Sequence, residues 1–212
     1  MNVLVIAKAP VPGHAKTRLC PPCTPEQAAA LAEAALEDTL AAVLATPGVR
    51  RRVLVLEGEP GPWLPSVFEV IPQRGDGLGE RLAAAFEDTG GPTLLVGMDT
   101  PQLTPDVLAG AAASLLGPEV DAVLGRAVDG GFWAIGLREP NTAAFLGVPM
   151  STPATGRRQR TRLDALGLAV VELPVLRDVD LIHDARAVAA QASSTRFARV
   201  LRGMIEPVGV SA

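Results

Sequence analysis

Asn2-Val-Leu-Val-Ile-Ala7 runs without a break into Lys8-Ala-Pro-Val-Pro-Gly13-His-Ala-Lys16-Thr-Arg18, and Thr24-Pro25-Glu26-Gln27 then opens an alanine-rich run to about residue 45. The first stretch reads as a strand buried on both faces, because it is apolar almost throughout rather than at alternate positions. Thr24 to Gln27 is a capping box with proline at the first helical position. Strand, loop and helix in that order is the opening unit of an α/β fold, and its loop is where such folds bind anions. The loop also holds both lysines of the chain, the other 17 of the 19 basic residues being arginine. An ammonium is a compact charge able to touch several phosphate oxygens, whereas guanidinium is a planar fork. Lys8, Lys16 and Arg18, with Gly13 to relax the backbone and Thr17 between the last two cations, are therefore expected to bind phosphate. The loop is not a P-loop, since Ala15 precedes Lys16 and Pro10 stands where the first glycine belongs.

The same alternation continues outward. Strands are expected at 52–56, 67–71, 93–97, 121–124, 132–135 and 169–173, with helices at 78–88, 104–117, 154–166 and 184–204. This order predicts a three-layer α/β/α fold with a mostly parallel central sheet. The join Asp129-Gly-Gly131 is too short for a crossover, so one late antiparallel strand is expected. Residues 1–205 are read as a single domain and 206–212 as a frayed tail. Aromatic residues make up 3% of the chain and tyrosine is absent, which leaves Ala, Val and Leu to fill the core.

Three further segments carry candidate chemistry. Asp99, in Val96-Gly-Met-Asp-Thr-Pro101, stands at the carboxyl edge of the fourth strand, where open sheets bind ligands. A carboxylate there, facing a phosphate loop, suits Mg²⁺ (or Mn²⁺), which takes one or two carboxylates plus phosphate oxygens. Arg177-Asp-Val-Asp180-Leu-Ile-His-Asp184 offers Asp178 or Asp180 as a second ligand, with Asp184 read as a helix cap. Gln73-Arg-Gly-Asp-Gly77-Leu-Gly79 offers an amide to read a base edge and glycines for close backbone approach. Two histidines and no G-x-S-x-G leave no Ser-His-Asp arrangement. Cys20-Pro-Pro-Cys23 lacks two further clear ligands and is read as two incidental thiols.

Ala7-Lys-Ala-Pro-Val-Pro-Gly-His-Ala-Lys-Thr-Arg-Leu19, Gly77-Leu-Gly-Glu-Arg-Leu82, Val96 to Pro101, Asp129-Gly-Gly-Phe-Trp-Ala-Ile-Gly136 and Asp178-Val-Asp180 occur in one order. Together they resemble the DUF2064 (glycosyltransferase-like) branch of the GT-A nucleotide-diphospho-sugar transferase superfamily, over about residues 3–185. Ala15 to Leu19 is also similar to the phosphate loop of 2-phospholactate guanylyltransferases. The resemblance implies a Rossmann-like GT-A fold with metal on Asp99 and Asp180. It implies catalysis by Lys16, Arg18 and Asp99, and nucleotide binding by Lys8, Gly13, Lys16, Thr17, Arg18, Gln73, Gly77 and Gly79. Asp129, Gly130, Gly131, Ser151 and Thr152 are expected to face the acceptor. The chain departs from the wider superfamily in having Leu181-Ile-His183 where Thr-Pro-Glu is usual, and in lacking a lysine downstream of the arginine loop.

The expected activity is metal-dependent transfer of a nucleotidyl group from a nucleoside triphosphate to a small phosphorylated acceptor. The alternatives are glycosyl transfer from a nucleotide-sugar and, from another class, a nucleotide-binding module without turnover. Asp99-Thr-Pro101 supplies one carboxylate where glycosyltransferases of this fold usually show Asp-x-Asp, which ranks nucleotidyl transfer first. A net charge of −4 and a pI near 5.2 argue against a nucleic-acid partner. No apolar run reaches the roughly 18 residues of a membrane helix, and no signal peptide is read at the start, so a cytoplasmic location is expected. The sequence sets no oligomeric state.

Overall fold

Val3 and Val5 pack on one side of the first strand and Leu4 on the other, all three fully buried. That alternation needs helices on both faces of a sheet, and the computed structural model, which describes residues 1–205, shows them. In chain order the elements are β1 Asn2–Lys8, α1 Pro25–Ala45, β2 Arg51–Glu57, β3 Glu69–Pro72, α2 Leu78–Thr89, β4 Thr93–Gly97 and α3 Pro105–Leu116. They continue with β5 Ala122–Ala127, β6 Phe132–Leu137, α4 Thr155–Ala165, β7 Val170–Leu176, α5 Ile182–Gln191 and α6 Arg196–Ile205. The tail expected at 206–212 lies outside the described residues. Among the described residues no helix is long and apolar enough to cross a membrane.

The sheet order is β3-β2-β1-β4-β6-β5-β7. β1 is flanked by β2 and β4, both parallel to it, and β7 runs parallel to β5. Only β6 is antiparallel, to β4 on one side and β5 on the other. The short join forces this: the Ala127 amide donates to the Gly131 carbonyl at 3.0 Å, closing a hairpin. α1 and α3 cover one face through Leu36, Leu40, Leu108 and Leu115. α2 and α4 cover the other through Leu82, Phe86 and Leu163. Each such side chain contributes about 1.5–3 kcal/mol by leaving water.

A third apolar cluster stands apart from these two. Leu19 from the cation loop, Leu31 and Ala35 of α1, Val179, Val188 of α5, and Phe197 and Leu201 of α6 form it. Its helices correct the expectation of one helix over 184–204. Thr195 ends the continuity, because its hydroxyl accepts from the Ala198 amide at 3.1 Å. The Asp38 carboxylate of α1 accepts from the Arg196 and Phe197 amides at 3.0 and 2.8 Å. A new helix start with its free amides satisfied is as stable as one more turn of the old helix, and it lets α6 fold back on α1. Asp184 is likewise not the cap: α5 begins at Ile182, and Asp184, within its first turn, accepts from the Leu181 amide at 3.0 Å.

Candidate active site at the carboxyl edge of the sheet

The carboxyl ends of β1 and β4, the β5–β6 turn and the segment after β7 open into one cleft of about 1050 Å³. Its first wall is the loop after β1. Lys16 takes the left-handed conformation, φ 51°, just before the 3-10 turn Thr17–Leu19, whose Leu19 anchors in the third cluster. That bend turns Lys16 inward. Its Nζ donates to the Val179 carbonyl and pairs with the Asp99 carboxylate at 2.5 Å, and its side chain is 10% exposed against 56% for Lys8. A buried ammonium is tolerated because both contacts compensate its lost hydration. Arg18 stays 66% exposed and pairs with Asp180. Lys8 meets Glu57 at 3.1 Å, and Lys8, then Arg81, hold the Glu57 carboxyl below the ordinary range against the opposing effect of burial.

Three carboxylates face this wall. Asp99 follows β4, and its carbonyl accepts from the Val179 amide at 2.8 Å. Asp129 sits in the β5–β6 turn, fixed by the Gly131 amide at 2.7 Å. Asp178 lies within electrostatic reach of both. Asp178 and Asp180 both line the cleft with Asp99. Between them Val179 is drawn into the third cluster, and Asp180 pairs with Arg18.

Several expected binding residues have other work in the fold. Gln73 donates to the Ala7 and Val55 carbonyls at 2.8 and 3.3 Å and accepts from Arg81 at 3.2 Å, so its amide braces the strand ends and Arg81. Gly13, Gly77, Gly79 and Gly130 do not line the cleft, whereas Thr17, Gly131, Ser151 and Thr152 do. A Cβ on Gly79 would stand 3.1 Å from the Phe145 carbonyl oxygen, and one on Gly130 would stand 2.1 Å from that of Pro153. Gly130 therefore admits the segment leading into α4, while Gly131 faces the cleft. Arg81 and Arg177 line the cleft without having been expected there. Arg81 was legible as the first-turn cation after the glycine-rich loop; Arg177 carried no separate signal. On α4, Arg157 and Arg158 are exposed, while Arg160 pairs with Asp164 and Glu172.

Cys20 and Cys23 are free thiols at the end of the cation loop. Burial, and then the neighbouring Cys20, push the Cys23 thiol up, away from the reactive thiolate. Cys20→Ser combined with Cys23→Ser is expected to keep stability within about 1 kcal/mol and to leave nucleotide affinity unchanged under reducing conditions. Stoichiometric zinc in the purified protein would contradict this.

The family described as "Uncharacterized protein conserved in bacteria (DUF2064)" matches residues 29–152, more than half of the chain. The chain belongs to DUF2064. The matched span takes in Asp99, Asp129, Ser151 and Thr152, but neither the cation loop nor Asp178. Among curated proteins none matches this DUF2064 sequence. Solved structures match over most of the chain. A candidate nucleotide-diphospho-sugar transferase from Desulfovibrio desulfuricans G20 superposes with a TM-score of 0.84 at 24% identity, over 96% of this chain and 95% of its own. A nucleotidyl transferase from Methanothermobacter thermautotroptrophicus gives 0.59 at 16%, over 94% and 98%. A mannosyltransferase from Pyrobaculum calidifontis, in complex with GDP-Man and Mn²⁺, gives 0.53 at 17%, over 95% and 64%. At these identities the likeness establishes the fold, which is GT-A-like.

The DUF2064 cleft is lined by Asp99, Asp129, Asp178 and Asp180, with His14 and His183 beside them, and among the described residues no group of three or more His, Cys, Asp or Glu is placed to hold a metal ion. Mg²⁺ and Mn²⁺ take one or two carboxylates beside water and phosphate oxygens, so two of these aspartates would hold such a cation together with a nucleotide's phosphates. The concentration of negative charge has a measurable cost. Burial first, then Asp129 and Asp99, push the Asp178 carboxyl from 3.8 up to about 6, partly offset by a backbone hydrogen bond and by Lys16. The folded protein therefore holds a proton there that the unfolded chain has released, and this group's contribution to stability falls as pH rises from 3.8 through about 6. Asp178→Asn is expected to stabilise the metal-free protein by about 1–2 kcal/mol at about pH 8, after allowance for solvent screening, and by almost nothing at about pH 4. Urea unfolding in EDTA checks it, and a difference independent of pH would count against the burial of this charge.

Proposed function

We propose that this protein is a metal-dependent transferase that binds a nucleotide donor, and that it moves a nucleotidyl group from a nucleoside triphosphate to a small phosphorylated acceptor. The observation that carries the reading is the opposition, across one cleft at the sheet's carboxyl edge, of Lys8, Arg18 and Arg81 to Asp99 and Asp178. Asp99 and Asp178 would hold the cation, which when bound supplies charge neutralisation on the phosphates. Lys8 and Arg18, both exposed, reach the phosphate chain. Lys16, tied to Asp99 and Val179, keeps the carboxylate wall in register and presents its charge from below. Asp129, Ser151 and Thr152 form the acceptor wall. An acceptor phosphate is already anionic near neutral pH, so its oxygen attacks the α-phosphorus without a general base and pyrophosphate leaves in line. The work left to the protein is alignment and electrostatic stabilisation. The reading places one domain over residues 1–205 in the cytoplasm, where nucleoside triphosphates are available.

Glycosyl transfer is the second reading, favoured by the likeness to a mannosyltransferase that binds GDP-Man and Mn²⁺. The single carboxylate of Asp99-Thr-Pro101 supports the first. Incubation with the four triphosphates and Mg²⁺ or Mn²⁺, over a panel of phosphorylated metabolites, separates them. Pyrophosphate release supports nucleotidyl transfer, and nucleoside diphosphate release from nucleotide-sugars supports glycosyl transfer. Binding without either product would make the protein a nucleotide-binding module.

A further inference from the structure

Asp99 and Asp178 belong to different loops, and their separation in sequence means that something must hold those loops at a fixed spacing. Three contacts cross between them or bind them together. The Val179 amide donates to the Asp99 carbonyl at 2.8 Å. Lys16 bridges the Val179 carbonyl and the Asp99 carboxylate. The third is made by Gln102, three residues beyond Asp99, whose Nε2 donates to the Arg177 carbonyl. Gln102 is 8% exposed and does not line the cleft. Because its partner is a carbonyl, the nitrogen must face it, and Oε1 is left buried without a protein partner. A polar side chain in that state is a poor way to fill space, and a methionine of the same length would fill it with no unpaired oxygen.

We propose that Gln102 is a positioning residue: by tying its loop to the Arg177 carbonyl it sets the distance between the Asp99 and Asp178 carboxylates. The bond lands on the residue immediately before Asp178. The far end of the same segment is held by Asp184, which accepts from the Leu181 amide and also pairs with the Arg177 side chain at 2.8 Å. Loss of the Gln102 tie therefore removes the side-chain contact to the backbone just before Asp178 and loosens its spacing to Asp99, while the Val179 and Asp184 contacts remain. This inference rests on the reading of Asp99 and Asp178 as the cation's ligands.

Gln102→Met keeps the volume and removes the donor; Gln102→Asn keeps an amide one methylene too short to reach. Thr39→Val, which removes a buried hydroxyl bonded to the Ala35 carbonyl on α1, is the control for a purely structural loss. Amide hydrogen exchange at Val179 is measured by NMR, and binding of Mn²⁺ alone by electron paramagnetic resonance. In both Gln102 variants Val179 is expected to exchange about tenfold faster, and Mn²⁺ to bind about tenfold more weakly. Thr39→Val is expected to lower the melting temperature and change neither readout. Unchanged Val179 exchange in the Gln102 variants, or equal loss of Mn²⁺ affinity in Thr39→Val, overturns the proposal. Native protein that binds no Mn²⁺ overturns the metal reading itself, and the role of Gln102 is then decided by the Val179 exchange alone.

Discussion

Asp99→Asn is expected to lower kcat/KM for the metal-dependent reaction on the order of 10³-fold with a modest fall in melting temperature, since the amide still accepts from Lys16 but no longer offsets its charge. The carboxylate stands at the end of β4 with 45% of its side chain exposed, so the amide replaces it without a clash or a buried void. What is lost is charge in the place where charge has to be neutralised. Asp178→Asn should follow with a loss of roughly 10²-fold, since it removes the second carboxylate of the same wall. Asp180→Asn should stay within about tenfold, because its exposed pair with Arg18 contributes little on its own. Steady-state kinetics on the three variants, with Mn²⁺ titrations beside them, give the ranking. An inactive Asp180 variant beside an active Asp178 variant would reverse the assignment of the second ligand.

Lys16→Met is expected to damage both stability and activity, and this separates it from Arg18→Ala. Removing the ammonium strips the Val179 carbonyl of its donor and leaves the Asp99 carboxylate unpaired beside Asp178. Half-exposure of Asp99 softens the penalty, so about 2 kcal/mol is a reasonable figure, equivalent to a fall of roughly 4–8 °C in a chain of this size. Activity should fall at least about 10²-fold as the two loops lose their common anchor. Arg18→Ala, in contrast, should weaken triphosphate binding by about 1.5–3 kcal/mol at an unchanged melting temperature. Differential scanning fluorimetry with nucleotide titration reads both effects. A Lys16→Met protein with native melting and native affinity would remove the lysine from the site altogether.

The fold was legible because its signals are local. An apolar run before a proline-containing capping box, repeated along the chain, specifies strands and helices with little reference to anything distant. The Asp129-Gly-Gly131 join announced the antiparallel β6 through its length alone. The last helix was misjudged because its break depends on Asp38, some 158 positions away, which supplies the acceptor for the new helix start. The glycine-rich segments were less legible for a related reason. A glycine reports that something comes close to the backbone, and only the folded chain reveals that Gly79 and Gly130 lie against Phe145 and Pro153. The different surroundings of Asp178 and Asp180 follow from the burial of Val179 against α1, α5 and α6, which no feature of the three residues themselves announces.

That arrangement of helices reaches further than the choice of one aspartate. The cluster holding Leu19 and Val179 backs both the cation loop and the carboxylate loop, and it is separate from the two layers that cover the sheet. α6 reaches it by folding back on α1. α6 is thus a mechanical support for a cleft that none of its described side chains lines. A support of this kind can loosen by itself, since units with their own core open at lower free energy than the whole. On gentle warming the protein should lose its grip on nucleotide while circular dichroism still reports an intact sheet, so that function fails first where α6 meets α1.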